Sequence, residues 1–116
     1  MKIISKIKDI LQGKITIKQK RSSKWGSVRK EHLKEHPTCA VCNSKKKLEV
    51  HHLLPFQLHP ELELEKGNLI TLCESRKTVN CHILFGHGLN YKDYNPDCLK
   101  DVEHFHDLII NCQLKK

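Results

Sequence analysis

Cys39-Ala40-Val41-Cys42, followed at a distance by Cys73 and Cys81, constrains this chain more than any other feature. A turn of that spacing lets two sulfurs point inward at one metal, and a tetrahedral zinc then needs two more soft ligands. Cys73 and Cys81 are the candidates, because both flank one turn downstream of a strand that can pair beside the knuckle. Seven residues separate this second pair, so the alternative of two unrelated pairs of buried or free thiols stays open. At 116 residues the chain has room for about one domain and short appendages. A core of that size often needs a metal or disulfides to complete it. No helix-opening signal follows the first pair, which disfavours thioredoxin-like redox chemistry. Cys98 and Cys112 stand apart and are read as buried free thiols.

Charge narrows the class of partner. Lys and Arg number 21 against 13 Asp and Glu, a formal +8 that favours polyanions. Binding of one divalent ion by four thiolates leaves the chain basic. No run approaches the roughly 18 apolar residues of a membrane span, and the start of the chain lacks a signal peptide's apolar core and cleavage site. A reducing cytoplasm is therefore expected, where paired cysteines more often hold metal than form disulfides.

Periodicity gives a coarse map. Ile3, Ile4, Ile7, Ile10 and Leu11 recur at helical spacing, with Ile15 and Ile17 alternating after Gly13, so residues 1–22 read as an amphipathic helix and extension. A second helix is expected from a Ser22 or Ser23 cap to a stop at Pro37, with Trp25, Val28 and Leu33 inward and a basic remainder that includes His32 and His36. Strands are expected at Leu48–His51 and Leu69–Leu72, separated by an irregular excursion over Leu54–Glu65. Cys81–Phe85 is a candidate helix opening. Val102, Phe105, Leu108, Ile109 and Cys112 share the apolar face of a helix over Lys100–Cys112. The division is then residues 1–22, a central domain over 23–97, and a C-terminal helix over 98–116 that packs on the domain or forms an interface.

Adjacent His51 and His52 close the sequence Glu49-Val50-His51-His52, and in an extended strand they point in opposite directions. One imidazole can then bind a divalent ion while the other takes a proton from water, as its near-neutral pKa suits. His82 can face His51 if the following helix packs across the strands. A histidine pair leaves coordination positions open to phosphate oxygen and water, which a site closed by four thiolates does not.

Cys39-x-x-Cys42, Glu49-x-His51-His52, Asn68 before an apolar strand, and Cys81-His82 together resemble the HNH endonuclease family, over roughly residues 38 to 87. The resemblance implies an α+β fold with a ββα-metal (His-Me finger) core, a zinc knuckle and flanking helices. It implies His52 as general base, His51 and His82 as ligands of a catalytic divalent ion, and Asn68 as the residue that ties down the loop and supports the orientation of His52. Glu49 would support the metal site or be a solvated carboxylate. His87 is a candidate third ligand, but it lies five residues from His82 with Gly86 between, where ligand pairs of related nucleases lie one helical turn apart. Glu74–Asn80 reads as an insertion relative to the family's tighter cysteine pair.

The implied activity is hydrolysis of DNA phosphodiesters to 5′ phosphate and 3′ hydroxyl ends. Lys24, Arg29, Lys30, Lys34, Lys45, Lys46, Lys47 and Arg76 are candidate phosphate contacts, which give affinity but little base specificity. Nicking or weakly specific cleavage of double-stranded DNA follows, unless a partner protein or homodimer targets it. Expected cofactors are a structural Zn²⁺ and one catalytic Mg²⁺, Mn²⁺, Ni²⁺ or Zn²⁺. The rival reading is a non-catalytic zinc-stabilised nucleic-acid-binding module. His32, His36, His59, His104 and His106 are read as structural or exposed.

Overall fold

The computed structural model describes residues 21–76, 80–90 and 92–114. The N-terminal amphipathic helix and its strand-like tail, together with residues 77–79 of the expected insertion, lie outside the described residues. Helix α1, Trp25–Glu35, opens at Lys24, which has no side-chain cap. Ser22 organises the turn just before it: its carbonyl accepts from the Trp25 amide and its hydroxyl from the Lys24 amide. The helix ends at His36, one residue before Pro37, as the missing proline donor requires. His32, expected on the basic outer face, is the buried residue of α1, because the helix rolls it onto the sheet side beside half-buried Val28 and Leu33.

Strands β1 (Leu48–His52) and β2 (Leu69–Cys73) pair antiparallel, with Leu48 opposite Cys73 and His52 opposite Leu69. Each is one residue longer than its apolar run suggested, since ladder pairing carries His52 and Cys73 along with it. Every residue of β2 is buried. The intervening excursion is irregular, as expected, apart from short 3-10 turns at Pro60–Leu62 and Lys66–Asn68. After β2 the chain reaches a single π-helical turn, His82–Gly86, and then helix α2, Cys98–Leu114. The result is a small α+β fold: a two-stranded sheet with helical elements packed on it.

The core comprises Cys39, Val41, Ile70, Leu72, Cys73, Phe85, Cys98 and Val102. Burying a Leu72-sized side chain gives about 2 kcal/mol, so a cluster in which three of eight members are cysteines is thin. Helix α2 meets it through Cys98, Val102 and half-buried Ile109. Phe105 and Leu108 are 42% and 50% exposed and Cys112 is also exposed, contrary to the expected apolar face. The reason is geometric: the helix meets the knuckle along Cys98, Val102, Ile109 and His106, whose Nδ1 donates to the Val41 carbonyl at 3.1 Å, while the Phe105 ring touches Phe85 at the rim. Among the described residues no helix is long and apolar enough to cross a membrane.

Candidate metal centres

Among the described residues, two groups of His and Cys side chains converge. In the first, Cys39 and Cys42 come from the knuckle, Cys73 from the end of β2 and Cys81 from the start of the π turn, with all four sulfurs within 4.8 Å of one another. The knuckle closes because the Asn43 amide bonds the Cys39 carbonyl and Asn43 takes a left-handed φ of 63°, which asparagine tolerates well. Cys42 and Cys73 sulfurs stand 3.6 Å apart, and Cys42 and Cys81 sulfurs 3.9 Å. A tetrahedron with metal–sulfur bonds of ~2.3 Å has edges of about 3.8 Å, so the four thiols fit an ion of that size.

The electrostatics agree. The Cys81 thiol lowers the Cys39 pKa, and the amides of Cys42, Val41 and Cys73 assist against burial. Burial opposes ionisation of Cys73 too, yet the Ser75 hydroxyl and amide keep it lowered. Cys42 is raised by burial, and Cys81 by its bond to Cys39 followed by burial. Donors aimed at sulfur prepare the site for negative charge, while the sulfurs' mutual repulsion prevents full ionisation without a cation.

The second group is His51, His82 and His87. His51 is buried on β1, and Gly86 approaches it so closely that a Cβ there would lie 3.0 Å from the imidazole. The π turn explains His87. Its i to i+5 repeat brings residues five apart to one side, so Gly86 does not separate His82 from His87 as an α-helical spacing would. Asn80 starts this turn, its side-chain oxygen accepting from the Ile83 amide.

Outer acceptors orient two of the rings. His82 Nδ1 donates to the Glu74 carboxylate at 2.7 Å, and His87 Nδ1 donates to the Asp93 carbonyl at 2.8 Å. A neutral ring so held turns its Nε2 lone pair inward. The two Nε2 atoms are 3.1 Å apart, and His82 Nε2 is 3.2 Å from His51 Nδ1. With both protons held on Nδ1, the Nε2 lone pairs of His82 and His87 face one another, and a shared proton or a cation relieves their repulsion. Metal–nitrogen bonds of ~2.05 Å at tetrahedral angles give edges of about 3.3 Å, close to those present. Burial, followed by the His82, His87 and His52 imidazoles, pushes the His51 pKa down to about 3 and keeps the ring neutral, as a ligand must be. Three protein ligands could hold a metal ion and leave a position open.

His52 turns away from this group. Its Nε2 donates to the Glu63 carbonyl at 2.9 Å and its ring stacks on Trp25 with centroids 4.6 Å apart. That bond leaves the Nδ1 lone pair available. Burial lowers the His52 pKa, the Glu63 carbonyl opposes, and Arg21 lowers it further. Glu63 is 4% exposed, and its carboxylate is occupied by Arg21 Nε at 2.6 Å and the Ser22 amide at 2.9 Å. The Arg21 guanidinium also lies over the Phe56 and Trp25 rings. Asn68 is buried and ties the loop by three hydrogen bonds, two with the Leu54 backbone and one to the Leu62 carbonyl. The direct hold on His52 therefore comes from Glu63, and Asn68 acts on the loop that carries Glu63.

Both sets of histidines open onto one cleft of about 380 Å³. Of the eight basic residues expected at phosphate, Arg29 lines it, 3.3 Å from Glu49. Glu49 thus holds Arg29 and stands outside the imidazole group. Lys24, Lys30, Lys34, Lys45, Lys46, Lys47 and Arg76 are exposed elsewhere. Arg21 and Lys92, which no sequence pattern singled out, line the cleft instead. Glu63 and Glu74 escaped sequence reading too, since each acts through a nonlocal bond; a glutamate directly after a cysteine of the thiol group is the one signal available for Glu74. No family model, no curated protein and no solved structure matches the chain.

Proposed function

We propose that this chain is a metal-dependent endonuclease of the HNH type, with a ββα-metal core, that hydrolyses DNA phosphodiester bonds. The observation that carries the reading is that a neutral His52, fixed through Nε2 and open at Nδ1, shares one cleft with three converging imidazoles.

In this reading His52 Nδ1 accepts the proton of a water that attacks phosphorus in line, and the Glu63 carbonyl stabilises the ring as it gains charge. Trp25 keeps that ring from rotating away. Arg21 and Arg29, each anchored by a glutamate, set the phosphate backbone against the cleft at little entropic cost. A divalent ion held by His51, His82 and His87 would supply Lewis-acid stabilisation of the phosphate charge and of the departing 3′ oxygen. Cys39, Cys42, Cys73 and Cys81 hold a structural Zn²⁺. The basic surface gives affinity without base readout, so the products are nicked or weakly specifically cleaved duplexes.

The same thiol centre and basic charge also suit a non-catalytic zinc-stabilised nucleic-acid-binding module. Incubation with supercoiled plasmid in EDTA, Mg²⁺, Mn²⁺ or Ni²⁺ separates the two. The nuclease reading expects metal-dependent nicked or linear DNA and a loss of about 10²–10⁴-fold in His52→Ala, with DNA binding retained. Binding without cleavage in every metal would favour the module, and equal cleavage by the variant would remove His52 from its role.

A further inference from the structure

The two centres share their chain. Cys73 and Glu74 are neighbours, as are Cys81 and His82, and in each pair the cysteine faces the thiol group while the next residue faces the imidazoles. Glu74 is held from three directions. Its predecessor is a member of the thiol group, its amide donates to the Lys47 carbonyl at 2.8 Å, and its carboxylate accepts from His82 Nδ1 at 2.7 Å. We propose that Glu74 is a positioning residue that fixes His82 as the Nδ1–H tautomer and thereby sets the affinity of the imidazole centre for a divalent cation.

A carboxylate has no proton to donate, so the hydrogen must sit on Nδ1 and the lone pair on Nε2, the atom that faces His51 and His87. The opposite tautomer would put a proton where a ligand lone pair is needed. Magnitude separates this from an ordinary ion pair. Loss of a ligand's outer partner typically lowers metal affinity about 10–100-fold, an effect that an ordinary surface ion pair would not show. The equivalent hold on His87 is the Asp93 carbonyl, which no side-chain substitution removes, so Glu74 is the position where the effect can be read. The inference rests on the imidazoles binding a cation and is independent of nuclease activity.

The test uses the full chain with zinc in the thiol centre and Ni²⁺ as probe, titrated calorimetrically into wild type, Glu74→Ala and Glu74→Gln. Ring ¹⁵N shifts of His82 report the tautomer before metal is added. The expected result is Nδ1–H in wild type and about 10–100-fold weaker Ni²⁺ binding in Glu74→Ala. Glu74→Gln, whose amide oxygen still accepts, should lose less. Thermal midpoint and zinc content should be unchanged in both variants. Equal Ni²⁺ affinity in all three proteins, or an Nε2–H tautomer in wild type, would overturn the proposal alone. Absence of Ni²⁺ binding in wild type would overturn it together with the reading of the imidazoles as a metal centre. If Glu74→Ala fails to fold, Glu74→Gln and the wild-type tautomer still decide.

Discussion

The thiol group and the imidazole group draw on the same short stretches of chain but face different surroundings. Four sulfurs converge within 4.8 Å of one another beside Val41, Leu72 and Phe85 of the core. Three nitrogens stand at the wall of a cleft, with room for a further ligand and with His52 beside them. A closed set can supply folding energy and little chemistry; an open one supplies less folding energy and leaves a coordination position for substrate or water. The difference follows from donor number and exposure, and it makes separate demands on experiment.

The largest expected effect is on the thiol side. Structural zinc contributes an apparent ~10–16 kcal/mol in small zinc domains, as much as the ~5–15 kcal/mol that whole domains have in hand. Cys39→Ser should therefore abolish cooperative unfolding measured by circular dichroism, and a variant that melts like wild type would break the assignment of the fold to that centre. Gly86→Ala should act on the imidazole side. Its Cβ would press on the His51 ring at 3.0 Å, costing ~1–3 kcal/mol as overpacking and weakening Ni²⁺ binding while zinc stays in the thiol centre. Equal loss at both centres would mean that they are not separable.

A smaller effect tests a buried imidazole outside both groups. His32 is lowered by burial and then by His36, against Glu35, and its Nε2 has no hydrogen-bond partner among the described residues. Below the ordinary pKa of 6.5 the unfolded chain binds a proton that the folded chain still refuses, so stability falls as pH drops through that value toward the lowered one. Urea melts at pH 7.5 and 5.5 should show a shallower decline for His32→Leu than for wild type. Parallel declines would mean that His32 makes no contribution to the acid sensitivity.

How much of this was legible varied with how local the signal is. The strands and α1 were readable because alternation, apolar runs and Pro37 act within a few residues. The π turn was not: the sequence signals a helix opening at Cys81, but the wider turn that carries His87 to His82 goes with the close approach of Gly86 to His51, a nonlocal contact. The outer partners Glu63, Glu74 and Asp93 act across 8 or 11 residues or through backbone carbonyls, for which a side-chain pattern carries little information. On α2 the apolar spacing was real, yet Phe105, Leu108 and Cys112 stay exposed because the small core covers only one narrow stripe.

The most direct measurement is a two-step metal removal. Zinc and total metal per chain would be determined before and after mild chelation, with circular dichroism and plasmid cleavage followed on the same samples. One class of ion should leave first and cleavage disappear with it, while the fold and one zinc per chain remain and added Mg²⁺, Mn²⁺ or Ni²⁺ restores activity. A single class of ion whose loss removes fold and cleavage together would contradict the division between a closed structural centre and an open chemical one.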